Sequence, residues 1–116
     1  MDHIVIYHNP SCRKSRETLS LIKSNNINPS IILYLKEKLF KKEIFSILKK
    51  LNLHPRELLR DTEKEYKNNN LSDANLTKGQ IVDFMIKYPI LIERPIVIRG
   101  DKAIIGRPPE NVLELI

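Results

Sequence analysis

The sequence predicts an α/β fold with the element order β-α-β, a helical block, then β-β-α. Three observations lead to that order. Ile- and Val-rich runs of strand length occur only towards the two ends of the chain. Apolar residues recur at helical spacing through the middle. The connections within each end are only a few residues long, which makes successive elements spatial neighbours.

Ile4-Val5-Ile6-Tyr7 is a continuous apolar run bounded by Asn9-Pro10, the pattern of a strand buried on both faces. A helix is expected from Ser11 to about Lys23, with Leu19, Leu21 and Ile22 as its apolar side. Asn25 to Pro29 reads as a loop, and Ile31-Ile32-Leu33-Tyr34-Leu35 as a second strand. Strand, helix and strand with short links form a βαβ unit, so these two strands should run parallel.

Ile44, Phe45, Ile47, Leu48 and Leu51 mark an amphipathic helix that ends at Asn52, before Pro55. Arg56 to Arg60 is a short helical piece carrying Leu58 and Leu59. Lys64 to Asn75 is polar and weakly patterned, with Asn68-Asn69-Asn70 expected as a loop. Thr77 is a good N-cap for a helix that turns Ile81, Val82, Phe84 and Met85 inward. Pro95 to Arg99 and Ala103 to Ile105 form a hairpin across Gly100-Asp101-Lys102, and a last helix runs from Glu110 to Ile116. The expected organisation is one domain, 1–116, with a helical insertion at about 40–88.

The chain has 116 residues, 41% hydrophobic and 29% charged, which is the balance of a globular domain rather than a disordered one. No apolar run approaches the roughly 20 residues of a membrane span. Met1-Asp2-His3 opens no signal peptide, and a single cysteine allows no internal disulfide. A cytoplasmic protein without membrane attachment is expected. The net charge of +6 points to anionic partners, but Lys and Arg are scattered and only seven residues, four Tyr and three Phe, are aromatic. That argues against a nucleic-acid surface. His3, His8 and His54 lack the spacing of a metal site, so no metal is expected.

Cys12 follows a strand, a Pro turn and a potential N-cap, Ser11. A sulfur in the first turn of a helix faces unpaired N–H groups and the positive end of the helix dipole, which favour the thiolate. Arg13, Lys14 and Arg16 add positive charge, although a solvated helix face is their default role. Ser15 can donate its hydroxyl hydrogen to the sulfur, and His8 across the turn can support the anion or simply close the strand. The alternative for Cys12 is an inert buried thiol. Its polar strand-to-helix setting speaks for the nucleophile. Cys12-Arg13-Lys14-Ser15 offers no second cysteine, so a mixed disulfide formed here must be resolved by an external thiol.

The segment Tyr7-His8-Asn9-Pro10-Ser11-Cys12-Arg13-Lys14-Ser15-Arg16-Glu17-Thr18-Leu19 closely resembles the active-site segment of the glutaredoxin-dependent arsenate reductases. The resemblance continues through Ile31 to Leu35, Arg56 to Arg60, Pro89 to Val97 and Gly106 to Glu110. It implies a thioredoxin-like fold with a helical insertion and a cis peptide bond from Arg94 to Pro95. It also implies that Arg60, Arg94 and Arg107 bind the substrate oxyanion, a role suited to planar, permanently charged guanidinium groups. The implied reaction is reduction of arsenate by Cys12, with glutathione as co-substrate, glutaredoxin as partner and no bound cofactor. A monomer is expected. The chain ends at Ile116, where better-known members continue, which suits a short-form subgroup.

Two other functions fit the same pattern of residues. One is a glutathione-linked thiol reductase acting on another substrate. The other is a thiol-sensing regulator that binds RNA polymerase, although such regulators usually carry Cys-x-x-Cys as a switch and have no need of three matching arginines.

Overall fold

Four strands, β1 (Ile4–Tyr7), β2 (Ser30–Ile32), β3 (Ile96–Arg99) and β4 (Lys102–Ile105), form one sheet in the order β2-β1-β3-β4. The structure is a computed structural model and describes residues 2–116. It divides into two compact units: Lys38–Glu93, and the two end segments taken together.

In the unit that carries the sheet, β1 pairs in parallel with β2, placing Val5 opposite Ser30 and Ile6 opposite Ile31. The βαβ connection between them is made by helix α1 (Arg13–Ser24). β3 runs antiparallel to β1 and β4 antiparallel to β3. This is the thioredoxin-like arrangement. β1 lies between two partners, which explains why Ile4, Ile6 and Tyr7 are all buried. Ile4, Ile6, Ile22, Val97, Val112 and Leu115 form a core in which α1 and the last helical segment pack together.

Three details correct the expectations for this unit. β2 stops at Ile32, because Leu33 enters a turn whose carbonyl accepts the N–H groups of Lys36 and Glu37. The hairpin turn is only Gly100–Asp101, since Lys102 already pairs with Arg99. Gly100 has φ +64°, as a two-residue turn of this kind requires. The last segment, Pro109–Leu115, is a 3₁₀ helix rather than an α-helix. Its Asn111 N–H donates to the Pro108 carbonyl, three residues back, and Pro108 and Pro109 have no N–H to give.

The second unit contains α2 (Lys41–Leu51), α3 (Pro55–Leu58), α4 (Lys64–Asn68), α5 (Lys78–Lys87) and a 3₁₀ turn, Pro89–Leu91. α5 packs against α2, α3 and that turn, burying Ile81, Val82 and Met85, while Phe84 is half-buried. Thr77 caps α5: its hydroxyl accepts the Gln80 N–H at 3.1 Å, and the Gln80 side chain accepts the Thr77 N–H at 2.8 Å. α2 ends on Asn52 in the left-handed conformation, φ 57°. α4 was not expected, and Asn68 is part of it; none of its residues is buried, so no periodic apolar face announces it. Among the described residues no helix is long and apolar enough to cross a membrane.

Candidate active site

The loop between β1 and α1 is shaped by Asn9. Its side-chain Oδ1 accepts the Ser11 N–H at 3.0 Å, an Asx turn, and its carbonyl accepts the Cys12 N–H at 3.0 Å. These bonds make Cys12 itself the N-cap of α1, with Arg13 the first helical residue. Ser11 does not cap the helix. Cys12 is half-buried and its side chain makes no capping hydrogen bond, but the backbone N–H groups of Ser15 and Lys14, donors that a helix N-terminus leaves unpaired, favour its thiolate. The Asn-Pro pair, a strand boundary and a turn in the sequence, is the local signal for this loop.

Two arginines from the far end of the chain meet the same sulfur. Arg107 Nη2 donates to Cys12 Sγ at 3.4 Å, and Arg107 Nε donates to the Arg94 carbonyl at 2.8 Å. The Arg94 side chain, itself 7% exposed, also hydrogen-bonds the sulfur. The Arg94–Pro95 bond is cis, as the resemblance implies, and so is Arg107–Pro108.

Burial by itself pushes the Cys12 thiol up. The Ser15 N–H, the Arg94 side chain, the Arg107 charge and the Lys14 N–H together outweigh it, and the thiol lies below its ordinary value. The side chains of Arg13, Lys14 and Arg16 are not among these causes, contrary to the reading from the sequence. Arg13 is spent on Glu17 at 2.9 Å along the exposed face of α1, and Arg16 Nη1 donates to the Pro10 carbonyl at 2.9 Å. The charged side chains that act on the sulfur are those of Arg94 and Arg107, not those of its neighbours in sequence.

Ser15 and His8 sit one layer further in. Ser15 is fully buried, and its Oγ lies 2.6 Å from His8 Nδ1 while accepting the Asn9 N–H at 3.0 Å. The Ser15 hydroxyl is thus engaged by His8 and Asn9 rather than by the sulfur, whose thiolate is favoured by the Ser15 backbone N–H instead. His8, 6% exposed, is held below its ordinary value first by burial and then by the charges of Lys23 and Arg16. It is neutral near pH 7 and reaches the loop through Ser15.

Arg60 belongs to the helical unit. Its Nε bonds Glu63 Oε2 at 3.1 Å and its Nη1 bonds Glu93 Oε1 at 2.7 Å. Its N–H donates to the Leu91 carbonyl at 2.8 Å, and Glu93 N–H donates to the Leu58 carbonyl, beside a bridge between Leu59 and Ile92. Burial by itself pushes the Arg60 guanidinium's pKa down, but the hydrogen bonds to Glu63 and Glu93 and their charges together outweigh it and raise it. Among the described residues there is no cluster of three or more His, Cys, Asp or Glu able to hold a metal.

Residues 7–115 match the ArsC family. The chain is 46% identical over 114 residues to an arsenate reductase of Haemophilus influenzae, covering 97% of this chain and 98% of that protein. It is 38% identical over 116 residues to an arsenate reductase of Escherichia coli, covering all of this chain and 82% of that protein. A solved arsenate reductase from Vibrio cholerae superposes with a TM-score of 0.96 at 42% identity, covering 99% of this chain and 98% of that one. With a half-buried thiol at the start of α1 and a family match running almost from end to end, the chain belongs to the ArsC family.

Proposed function

We propose that the protein reduces arsenate to arsenite, with Cys12 as the nucleophile and glutathione and glutaredoxin as electron donors. The observation that carries this reading is the convergence of Arg94 and Arg107 on the Cys12 sulfur. It favours the thiolate and, beside it, places guanidinium donors for a tetrahedral oxyanion.

The Cys12 thiolate adds to arsenic(V), forming an S–As bond, and one arsenate oxygen leaves as water after protonation. Glutathione's thiol replaces a second oxygen, again releasing water, and arsenic is then held between two sulfurs. A glutaredoxin thiolate attacks the glutathione sulfur. The electron pair of that S–As bond remains on arsenic, which becomes arsenic(III), and a glutaredoxin–glutathione disulfide forms. Water displaces the remaining sulfur, returning Cys12 as the thiolate and releasing arsenite. Arg94 and Arg107 stabilise charge on the oxygens through the first two steps. Arg60 enters as a third oxyanion ligand by the family resemblance.

The need for external thiols rests on the single cysteine, which has no partner within the chain for a disulfide. The reading takes no metal and no bound cofactor, and takes the protein to be a cytoplasmic monomer that binds neither nucleic acid nor membrane. Arsenite formation, followed with glutathione and glutaredoxin together and with each omitted, tests the donor assignment. Turnover only with both is the expected result; equal turnover with a dithiol thioredoxin system alone contradicts it.

A further inference from the structure

Gly106 stands immediately before Arg107, at the centre of a three-residue turn in which the Arg107 N–H donates to the Ile105 carbonyl at 2.9 Å. Its own N–H donates to the Pro95 carbonyl at 2.9 Å. This second bond ties the turn to the segment that carries Arg94. On its other side lies α1, where Thr18 is fully buried. The Thr18 hydroxyl donates to the Lys14 carbonyl at 2.8 Å and lies 3.5 Å from the Gly106 carbonyl.

No room remains for a side chain at position 106. A Cβ there would overlap the Thr18 hydroxyl, stand 2.7 Å from Pro95 Cγ and lie 3.1 Å from Thr18 Cγ2. Thr18 cannot swing away freely, because a β-branched side chain on a helix has few rotamers and this one is bonded back to Lys14. Pro95 belongs to the backbone ring that opens β3. A methyl group at 106 must therefore push the 105–107 turn off α1. Arg107 would move with it, and the 3.4 Å contact of its Nη2 with the sulfur would lengthen.

We infer that Gly106 is a positioning residue: only a residue without a Cβ lets the 105–107 turn close against Thr18 and Pro95, and that closure places the Arg107 guanidinium on the Cys12 sulfur. The glycine is not needed for a left-handed backbone, since Gly100 is the only described glycine with positive φ. Close approach is its function. The inference rests on the reading of Cys12 as a supported thiolate, and it does not depend on which oxyanion is reduced.

The test is the pH profile of Cys12 alkylation by iodoacetamide, which reports the thiolate whether or not arsenate turns over. Gly106→Ala should move the midpoint upward, cutting the rate about threefold at a pH well below it, where half a pH unit corresponds to that factor. In an Arg107→Gln background the same substitution should add nothing, because the contact it disturbs is already gone. Adding Thr18→Ala to Gly106→Ala opens space on the α1 side and should return the midpoint part of the way. If Gly106→Ala alone does not fold, the Thr18→Ala, Gly106→Ala protein is compared with Thr18→Ala, and a rise in the midpoint is expected there. A folded variant with an unmoved midpoint overturns the inference, as does a shift undiminished by Arg107→Gln. Loss of arsenate turnover with a normal alkylation profile would count against it equally, because the thiolate would then be intact.

Discussion

Arg107 reaches back 95 residues along the chain to put Nη2 3.4 Å from the sulfur of Cys12. The same guanidinium is fixed at Nε by the Arg94 carbonyl, so the contact is held from two sides. Substituting Arg107 by Gln removes a charge that lowers the thiol, and the midpoint of iodoacetamide alkylation should rise. Arg94→Gln should act in the same direction. Unchanged profiles in both variants would mean that the helix N–H groups alone support the thiolate.

Cys12 also couples stability to pH. Its thiol is lower in the folded protein than in the unfolded chain, so the folded state releases its proton first. The resulting stabilisation is fully present above the unfolded thiol's range and is lost as pH falls through the folded value. The difference in urea midpoint between the wild type and Cys12→Ser should therefore grow in favour of the wild type as pH rises through that window. A difference independent of pH contradicts this.

His8 works in the same sense at lower pH. Burial, with Lys23 and Arg16, keeps it neutral in the fold, whereas the unfolded chain takes up a proton at the ordinary histidine value. Stability should fall as pH drops through about 6.5, the ordinary value, towards the lower folded one. His8→Gln should flatten the fall in melting temperature between neutral and mildly acidic pH, and a slope as steep as that of the wild type would refute the assignment.

Ser15→Ala separates stability from reactivity. It strips the partner from the buried Asn9 N–H and from His8 Nδ1, a loss of about 1–3 kcal/mol for an unsatisfied buried group. The Ser15 backbone N–H that favours the thiolate is kept. Denaturant unfolding should show the loss clearly, while the Cys12 alkylation midpoint should move less than in Arg107→Gln.

Arg60 can be distinguished from the other two arginines by kinetics. It is not among the groups that lower the Cys12 thiol, so Arg60→Lys should leave the alkylation profile in place. If it binds the oxyanion, KM for arsenate should rise severalfold, because Lys cannot reproduce a guanidinium's parallel donors. An unchanged KM would leave Arg60 with its ties to Glu63 and Glu93 alone.

Local patterns in the sequence carried most of the fold. The β-branched run at Ile4, the Thr77 cap and the Gly100 turn each specify their element through nearest-neighbour chemistry. Leu33 to Leu35 did not continue the strand because apolar character cannot distinguish a strand from a turn whose carbonyl is satisfied locally. The final 3₁₀ helix depended on how two adjacent prolines limit the available donors. At the site, Cys12 was legible from its place between strand and helix. Its grouping with Arg94 and Arg107 was not, because those contacts form only when the β3 and β4 ends close on α1; the family resemblance was the only signal in the sequence. Arg13, Lys14 and Arg16 misled for the same reason, since closeness along a helix does not aim a long side chain at its N-cap.

The most direct measurement of the central claim is arsenite production from arsenate, with glutathione and glutaredoxin supplied, by the wild type and by Cys12→Ser. The account predicts steady turnover by the wild type and none above background by the variant, with the wild-type thiol alkylated rapidly at neutral pH. Turnover that persists in Cys12→Ser would contradict Cys12 as the nucleophile, and a reactive Cys12 without wild-type turnover would contradict arsenate as the substrate.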